Sequence, residues 1–353
     1  MPSMDTSSTS SSSTSMTFSS CCCGASSVTA LRPFRAAGHA FLSNVGNYLR
    51  AGNSLTGQYP MANRAGAEVM ACHDPRIMRS IETPHFLIRN GRVRPRSSGG
   101  RISNELADHI AAELSPLGLV PDAIAFERLF VEVVLAAHPD PAQAWTAFYG
   151  NTMRRLRRPD RSGTDSIATF ARIYRHVLSL IQGRTILDVG CCFGFLPLLI
   201  AERSPWLRVV GTDLAPAAPM LAGRMAREQA SRARFAAADL LALPIADEAV
   251  DTVLAVHVLE HLPAGATAPA LAQLCRVARR RVVVAVPLED APDPTFGHVQ
   301  AFDLHALADI AASADAPGWS RAVHSADGGW LVLDRRERRL RVLPDRVGSG
   351  CPN

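Results

Sequence analysis

The chain has 353 residues, 47% of them hydrophobic, and a net charge of +5; it can bury a substantial core, and no uninterrupted apolar run reaches membrane-spanning length. It contains no lysine, so all 37 basic side chains are arginine; with abundant alanine this looks like a GC-rich coding sequence and weakens any argument from basicity for nucleic-acid binding. Cys21, Cys22, Cys23, Cys72, Cys191, Cys192, Cys275 and Cys351 form no paired C-x-x-C elements, which argues against structural zinc or a disulfide framework and for a reducing cytoplasm.

Residues 1–78 read as a disordered leader. Met1 to about Ser27 is mostly serine and threonine, patterning stays poor to about Arg76, and there is no apolar h-region of a signal peptide. Met61 and Met70 are candidate later starts.

Residues 79–160 read as a helical cap with a short hairpin. Asn90-Gly91, between apolar runs from Thr83 to Arg96, favours a type I′ turn. Ser103 is placed to cap a helix through Leu106, Ile110 and Leu114. A second helix spans Asp122 to Ala137. A third opens at Pro141 and carries Phe148, Tyr149 and Asn151. Arg154, Arg155, Arg157, Arg158 and Arg161 then form a basic run, expected to be a solvated helix end.

Residues 161–343 read as one α/β domain, followed by a loose tail from 344 to 353. A helix from about Asp165 to Ile181 leads into Thr185-Ile-Leu-Asp-Val-Gly-Cys-Cys-Phe-Gly-Phe. A β-type run ends in Asp188, turns through Gly190 and Gly194, and restarts as a helix at Phe195. A dinucleotide turn uses G-x-G-x-x-G to hold an anionic pyrophosphate; here the spacing is Asp188-x-Gly190-x-x-x-Gly194. A carboxylate repels pyrophosphate but attracts a ligand carrying an ammonium and a sulfonium. That charge pattern favours S-adenosylmethionine.

Three further elements follow in order. A strand from Leu207 ends in Asp213, next to Leu214, and is placed to accept bonds from ribose hydroxyls. A second, from Arg234, ends in Asp239-Leu240. A third runs from Asp251 to His257-Val-Leu-Glu260-His261. The series resembles the class I S-adenosylmethionine-dependent methyltransferases over about residues 165–335, with Cys192 standing where the family usually has its middle glycine. The resemblance implies a Rossmann-like seven-stranded sheet with helices on both faces and the mainly helical cap N-terminal to it. It also implies S-adenosylmethionine as cofactor, S-adenosylhomocysteine as product, and cofactor contacts from Asp188, Gly190, Cys192, Gly194, Asp213, Leu214, Asp239, Leu240 and His257. Arg281 to Pro287 is expected as a central strand, Asp303 as the cap of a helix to about Ala312, and Arg321–Ala326 with Trp330–Asp334 as the closing hairpin.

Ligands in open α/β sheets bind beyond the carboxyl ends of the strands. The titratable groups there are His257, Glu260, His261, Glu289, Asp290, Asp293 and His298. His298, in the loop after the fifth strand, is the first candidate for a general base and Asp290 the second. His257 and His261 are expected mainly to pack, and no metal site is expected. Gly190-Cys-Cys-Phe-Gly-Phe-Leu-Pro-Leu198, with Phe126-Glu-Arg-Leu-Phe130 and Phe148-Tyr-Gly-Asn-Thr-Met-Arg-Arg-Leu156, is similar to the mycofactocin oligosaccharide methyltransferases. That likeness implies O-methylation of a glucose hydroxyl on a glycan, with Phe148, Tyr149 and Asn151 against the sugar. An RNA or quinone methyltransferase and a non-catalytic cofactor-binding scaffold are the competing functions.

Overall fold

The computed structural model describes residues 80–96, 102–158, 163–313 and 318–336; the expected leader and tail lie outside the described residues. Strands β1 (Ile81–Glu82), β2 (Phe86–Arg89) and β3 (Arg92–Pro95) form a small antiparallel sheet. Its β2–β3 turn is Asn90-Gly91, at φ 51° and 70°, the backbone that a type I′ turn requires. Helices α1 (Leu106–Glu113), α2 (Ala123–Ala136) and α3 (Pro141–Arg157) complete the cap.

Local sequence explains most helix starts. Asp122, Asp140 and Asp165 each accept a bond from a backbone N–H in the first turn of α2, α3 and α4 (Ser166–Leu180), respectively. Asp303 does the same for Ala306 at 2.7 Å. Ser103 is the exception: α1 begins after Glu105 without a side-chain cap, and the Ser103 hydroxyl turns instead to Glu105 Oε2 at 3.3 Å. A buried Thr152 hydroxyl on α3 accepts the Asn104 N–H, so a tertiary contact takes the place of the local cap.

Seven strands form the main sheet: β4 (Thr185–Val189), β5 (Arg208–Asp213), β6 (Arg234–Ala237), β7 (Val250–Val256), β8 (Ala278–Val286), β9 (Trp319–Ser325) and β10 (Gly329–Arg335). Their order is β6-β5-β4-β7-β8-β10-β9. All neighbours are parallel except those of β10, which runs antiparallel to β8 and β9. This is the Rossmann-like methyltransferase sheet expected above. Alternate residues enter two cores, as a pleated strand covered on both faces requires. Ile186, Leu254, Val283 and Ala285 pack with helices α5 (Phe195–Arg203) and α6 (Ala217–Glu228) and the cap. Leu187, Val253, Val282 and Val284 pack with α7 (Ala264–Val277) and α8 (Leu304–Ser313).

At the amino ends of β4 and β7 a polar knot fixes the register. Asp251 accepts the Arg184 N–H at 2.8 Å, the Thr185 N–H at 3.1 Å and the Thr185 hydroxyl at 2.9 Å, and pairs with Arg279 at 2.9 Å. Burial raises this carboxyl, but the amide of Arg184, Thr185 and Arg279 outweigh it and hold its pKa well below the usual carboxylate range. The arginine run at the end of α3 is largely paired: Arg155 with Glu105 and Asp165, Arg157 with Glu202, and Arg154 with the Asn151 side chain. Arg161 lies outside the described residues.

Candidate active site

The opposite ends of the strands carry the chemistry. Strand β4 sits between β5 and β7, where the strand order reverses and an open sheet leaves its crevice. Its last residues run into a turn with three left-handed positions, Gly190 (φ 71°), Cys192 (φ 48°) and Gly194 (φ 73°). A Cβ at Gly190 would lie 2.5 Å from Val258 Cγ2, and one at Gly194 2.6 Å from the Phe235 ring. Neither site admits a side chain. Gly194 is also the N-cap of α5 and offers no side-chain cap, so the first N–H groups of the helix lack an intrahelical acceptor. Cys192 takes the glycine-like backbone with a side chain present, a strained state for most residues.

Acidic groups surround this turn. Asp213 ends β5 and accepts the Cys192 N–H at 2.9 Å and the Ala215 N–H at 3.0 Å, which ties the turn to the neighbouring strand. Asp188 is buried, and burial together with Asp213 drives its carboxyl well above the ordinary value. Burial likewise pushes the Cys191 and Cys192 thiols up, so neither is a ready thiolate nucleophile. Leu214 is exposed beside Asp213. Asp239 is exposed and accepts the Leu241 N–H at 2.8 Å, whereas the Leu240 side chain is buried in the α7-side core.

The cap closes over the turn through Phe193. Its ring lies 5.4–5.9 Å, centroid to centroid, from those of Phe130, Trp145, Phe148 and Phe195, and its carbonyl accepts the Tyr149 hydroxyl at 2.8 Å. This packing corrects the sugar-contacting role expected for Phe148 and Tyr149, which are 1% and 0% exposed: a ring committed on all sides to a core has no face for a sugar. Asn151 is also structural, donating to the Ile102 carbonyl at 3.0 Å.

Glu127 on α2 was not singled out from the sequence. It is 1% exposed, both carboxylate oxygens lack partners, and burial pushes its pKa up to about 8. It lies close enough to Cys192 to raise that thiol further, after burial and Asp213. One signal was available: Glu127 shares an i, i+4, i+7 stripe with Val131 and Val134, where an acid is out of pattern.

The ends of β7 and β8 bring a second cluster together. His257 (φ 56°) donates its N–H to the Ala285 carbonyl at 2.8 Å, and its ring tilts against Phe170 at 5.1 Å. Its Nε2 is buried without a partner. Burial, then His298 and His261, lower its pKa to about 4. Glu260 is fully buried; burial raises its pKa to about 8, and neither oxygen makes a hydrogen bond. Its nearest cationic candidate is His257 Nδ1, 3.5 Å from Oε1. His298 is held by Glu289, Nδ1 to Oε2 at 2.8 Å. Asp290, the second expected base, is exposed. The Val299 N–H, donating to the Glu260 carbonyl at 2.9 Å, fixes the 296–300 loop over the cluster.

Residues 186–281 match a family model described as a methyltransferase domain. The chain is 43% identical over 70 residues to the demethylmenaquinone methyltransferase of Thermus thermophilus, an overlap of 20% of this chain and 32% of that protein; it thus spans about a third of the relative's length. Among solved structures it is similar to magnesium protoporphyrin IX methyltransferase from Synechocystis with bound S-adenosylhomocysteine (19% identity, 53% of this chain and 94% of that one, TM-score 0.39). It is also similar to an S-adenosylmethionine-dependent methyltransferase from Aquifex aeolicus (18% identity, 52% and 95%, TM-score 0.40). Among the described residues no helix is long and apolar enough to cross a membrane.

Proposed function

We propose that this protein is an S-adenosylmethionine-dependent O-methyltransferase whose acceptor is a hydroxyl of a sugar on a small glycosylated substrate. The observation that carries the cofactor is the charge at the glycine turn. Asp188, Asp213 and Glu127 converge on the left-handed turn from Gly190 to Gly194, and two of these acids are buried. A buried acid with both oxygens unpartnered, as Glu127 is, is costly. A ligand bearing an ammonium and a sulfonium relieves that cost, whereas a pyrophosphate adds to it.

S-adenosylmethionine supplies a methyl group activated on a sulfonium and leaves as S-adenosylhomocysteine. The remaining work falls to this chain's side chains. Asp213, which accepts the Cys192 and Ala215 N–H groups at the end of β5, is placed for the ribose hydroxyls, and Asp239 flanks the adenine side. Asp188 and Glu127 face the cationic end. His298, oriented by Glu289, takes the proton that the acceptor hydroxyl loses, worth about a hundred- to ten-thousand-fold in rate. Alignment of oxygen, methyl carbon and sulfur is the larger demand on the site.

The His298–Glu289 pair supports a hydroxyl acceptor. The likeness to the mycofactocin family points to a glycan, and the burial of Phe148 and Tyr149 removes one support for that finer assignment. The match to the quinone methyltransferase favours a second acceptor class, a quinone ring carbon, but it is confined to 70 residues of this chain. Calorimetric titration with S-adenosylmethionine and S-adenosylhomocysteine tests the cofactor. Micromolar binding that disappears in Asp213→Ala is expected, and no binding to folded wild-type protein overturns the proposal. Methyl transfer to glucosides but not to demethylmenaquinone then supports the sugar acceptor; the reverse preference establishes the quinone acceptor, and cofactor binding with no turnover establishes a scaffold.

A further inference from the structure

We infer that Glu260, His261 and His298 form a binding site for a divalent transition-metal ion. Each offers one potential ligand atom, and these atoms lie within 4.8 Å of one another. Glu260 and His261 lie in the turn after β7 and His298 in the loop after β8, and the Val299 N–H donating to the Glu260 carbonyl at 2.9 Å, with His261 Nδ1 on the Gly297 carbonyl, sets their spacing. Glu260 is the decisive member: a fully buried carboxylate with both oxygens lacking hydrogen bonds is costly until a cation meets it.

The two histidines are already oriented as metal ligands are. Ligating imidazoles usually donate the second ring N–H to a carboxylate or a backbone carbonyl, which fixes tautomer and ring plane. His298 Nδ1 meets Glu289 Oε2 at 2.8 Å, and His261 Nδ1 meets the Gly297 carbonyl at 3.2 Å. Both Nδ1 atoms are therefore committed, and each Nε2 keeps its lone pair for a cation. The rings stand edge to face, 5.1 Å apart, and Phe296 joins the loop carrying His298 to Phe126 of the cap at 5.4 Å.

The donor set selects the ion. Two imidazoles and one carboxylate suit zinc, cobalt or iron(II) and are poor for magnesium or calcium, which prefer all-oxygen shells. Three protein ligands leave a coordination position open. Resting on the methyl-transfer reading, that position takes the acceptor hydroxyl: coordination acidifies it, its proton passes to solvent, and the oxygen lone pair forms the new O–CH3 bond as the C–S bond breaks toward sulfur. With the ion bound, this step replaces the proton-acceptor role given to His298 above, which belongs to the metal-free site.

The test uses the full chain, stripped with a chelator and titrated with Co2+, with visible absorption and calorimetry as readouts, then with Zn2+ as competitor. S-adenosylmethionine binding is measured on the same sample. We expect a Co2+ chromophore that zinc displaces, at one equivalent per chain. It is lost in His261→Ala and His298→Ala and in the near-isosteric Glu260→Gln, each checked for folding by circular dichroism. Glu289→Gln should retain the site with an affinity lower by about 10- to 100-fold. A chromophore of unchanged affinity in folded Glu260→Gln and His298→Ala, or no Co2+ uptake by protein that binds S-adenosylmethionine, overturns the metal site alone. Metal uptake by protein that fails to bind S-adenosylmethionine supports the site and removes the methyl-transfer reading.

Discussion

Replacing Glu127 with glutamine should make the protein more stable, by an amount that grows with pH. The carboxyl moves from an ordinary 4.5 in the open chain to about 8 in the fold, because burial disfavours its ionised form. An acid whose pKa rises on folding gives its full stability below the unfolded value, and the fold loses stability as pH climbs from 4.5 towards 8. Each tenfold displacement of the proton equilibrium is worth about 1.4 kcal/mol. The loss is therefore about 1–2 kcal/mol at pH 5.5, about 3 at pH 7 and about 4–5 at pH 8.5, relative to acid conditions. Glu127→Gln keeps the shape and removes the ionisation, so the gap between variant and wild type should widen by about 3 kcal/mol from pH 5.5 to 8.5. Urea unfolding at the three pH values, followed by tryptophan fluorescence, measures it. A gap that stays constant across the range refutes the assignment of Glu127 as a buried, unpaired acid. The same variant should bind S-adenosylmethionine more weakly, which ties the cost of the buried charge to the ligand that relieves it.

Two further substitutions test the frame around the site. Asp251→Asn removes a carboxylate that four donor groups share and should cost about 3–5 kcal/mol at pH 7, read as a lower urea midpoint. Because the folded pKa lies below the ordinary 3.8, that stability is present above pH 3.8 and drains away beneath it, so wild type and variant should converge in acid; parallel curves down to pH 2 contradict the reading. Gly194→Ala forces a Cβ to within 2.6 Å of the Phe235 ring and 2.8 Å of Ala222 Cβ at φ 73°. Left-handed strain of about 1–2 kcal/mol and overpacking of about 1–3, less the entropy gained in the open chain, give a loss of about 2–4 kcal/mol. A melting temperature equal to that of wild type contradicts it.

The first-level architecture was legible because it rests on short-range properties of the chain. The strand–turn–helix at Thr185–Phe195, the strand-end acids Asp188, Asp213 and Asp239, the Asn90-Gly91 hairpin and the aspartate caps all depend on residues within a few positions of one another. Their order along the chain carried the family resemblance that implied a seven-stranded sheet and its crevice. Tertiary packing decided what those rules do not reach. Ser103 does not cap α1: its hydroxyl turns to Glu105, and Thr152, far along the chain, holds the Asn104 amide beside it. Phe148 and Tyr149 carry the same aromatic and polar groups whether they face a sugar or a core, and only the docking of α3 on Phe193 settled which. Glu127 became a site residue because α2 turns it inward toward Cys192, and His261 met His298 because the loop after β8 is hydrogen-bonded back onto the turn after β7. Sequence specified the chemical groups and their local backbone; the fold determined which distant groups share a low-dielectric space, and there an unpaired charge calls for a ligand.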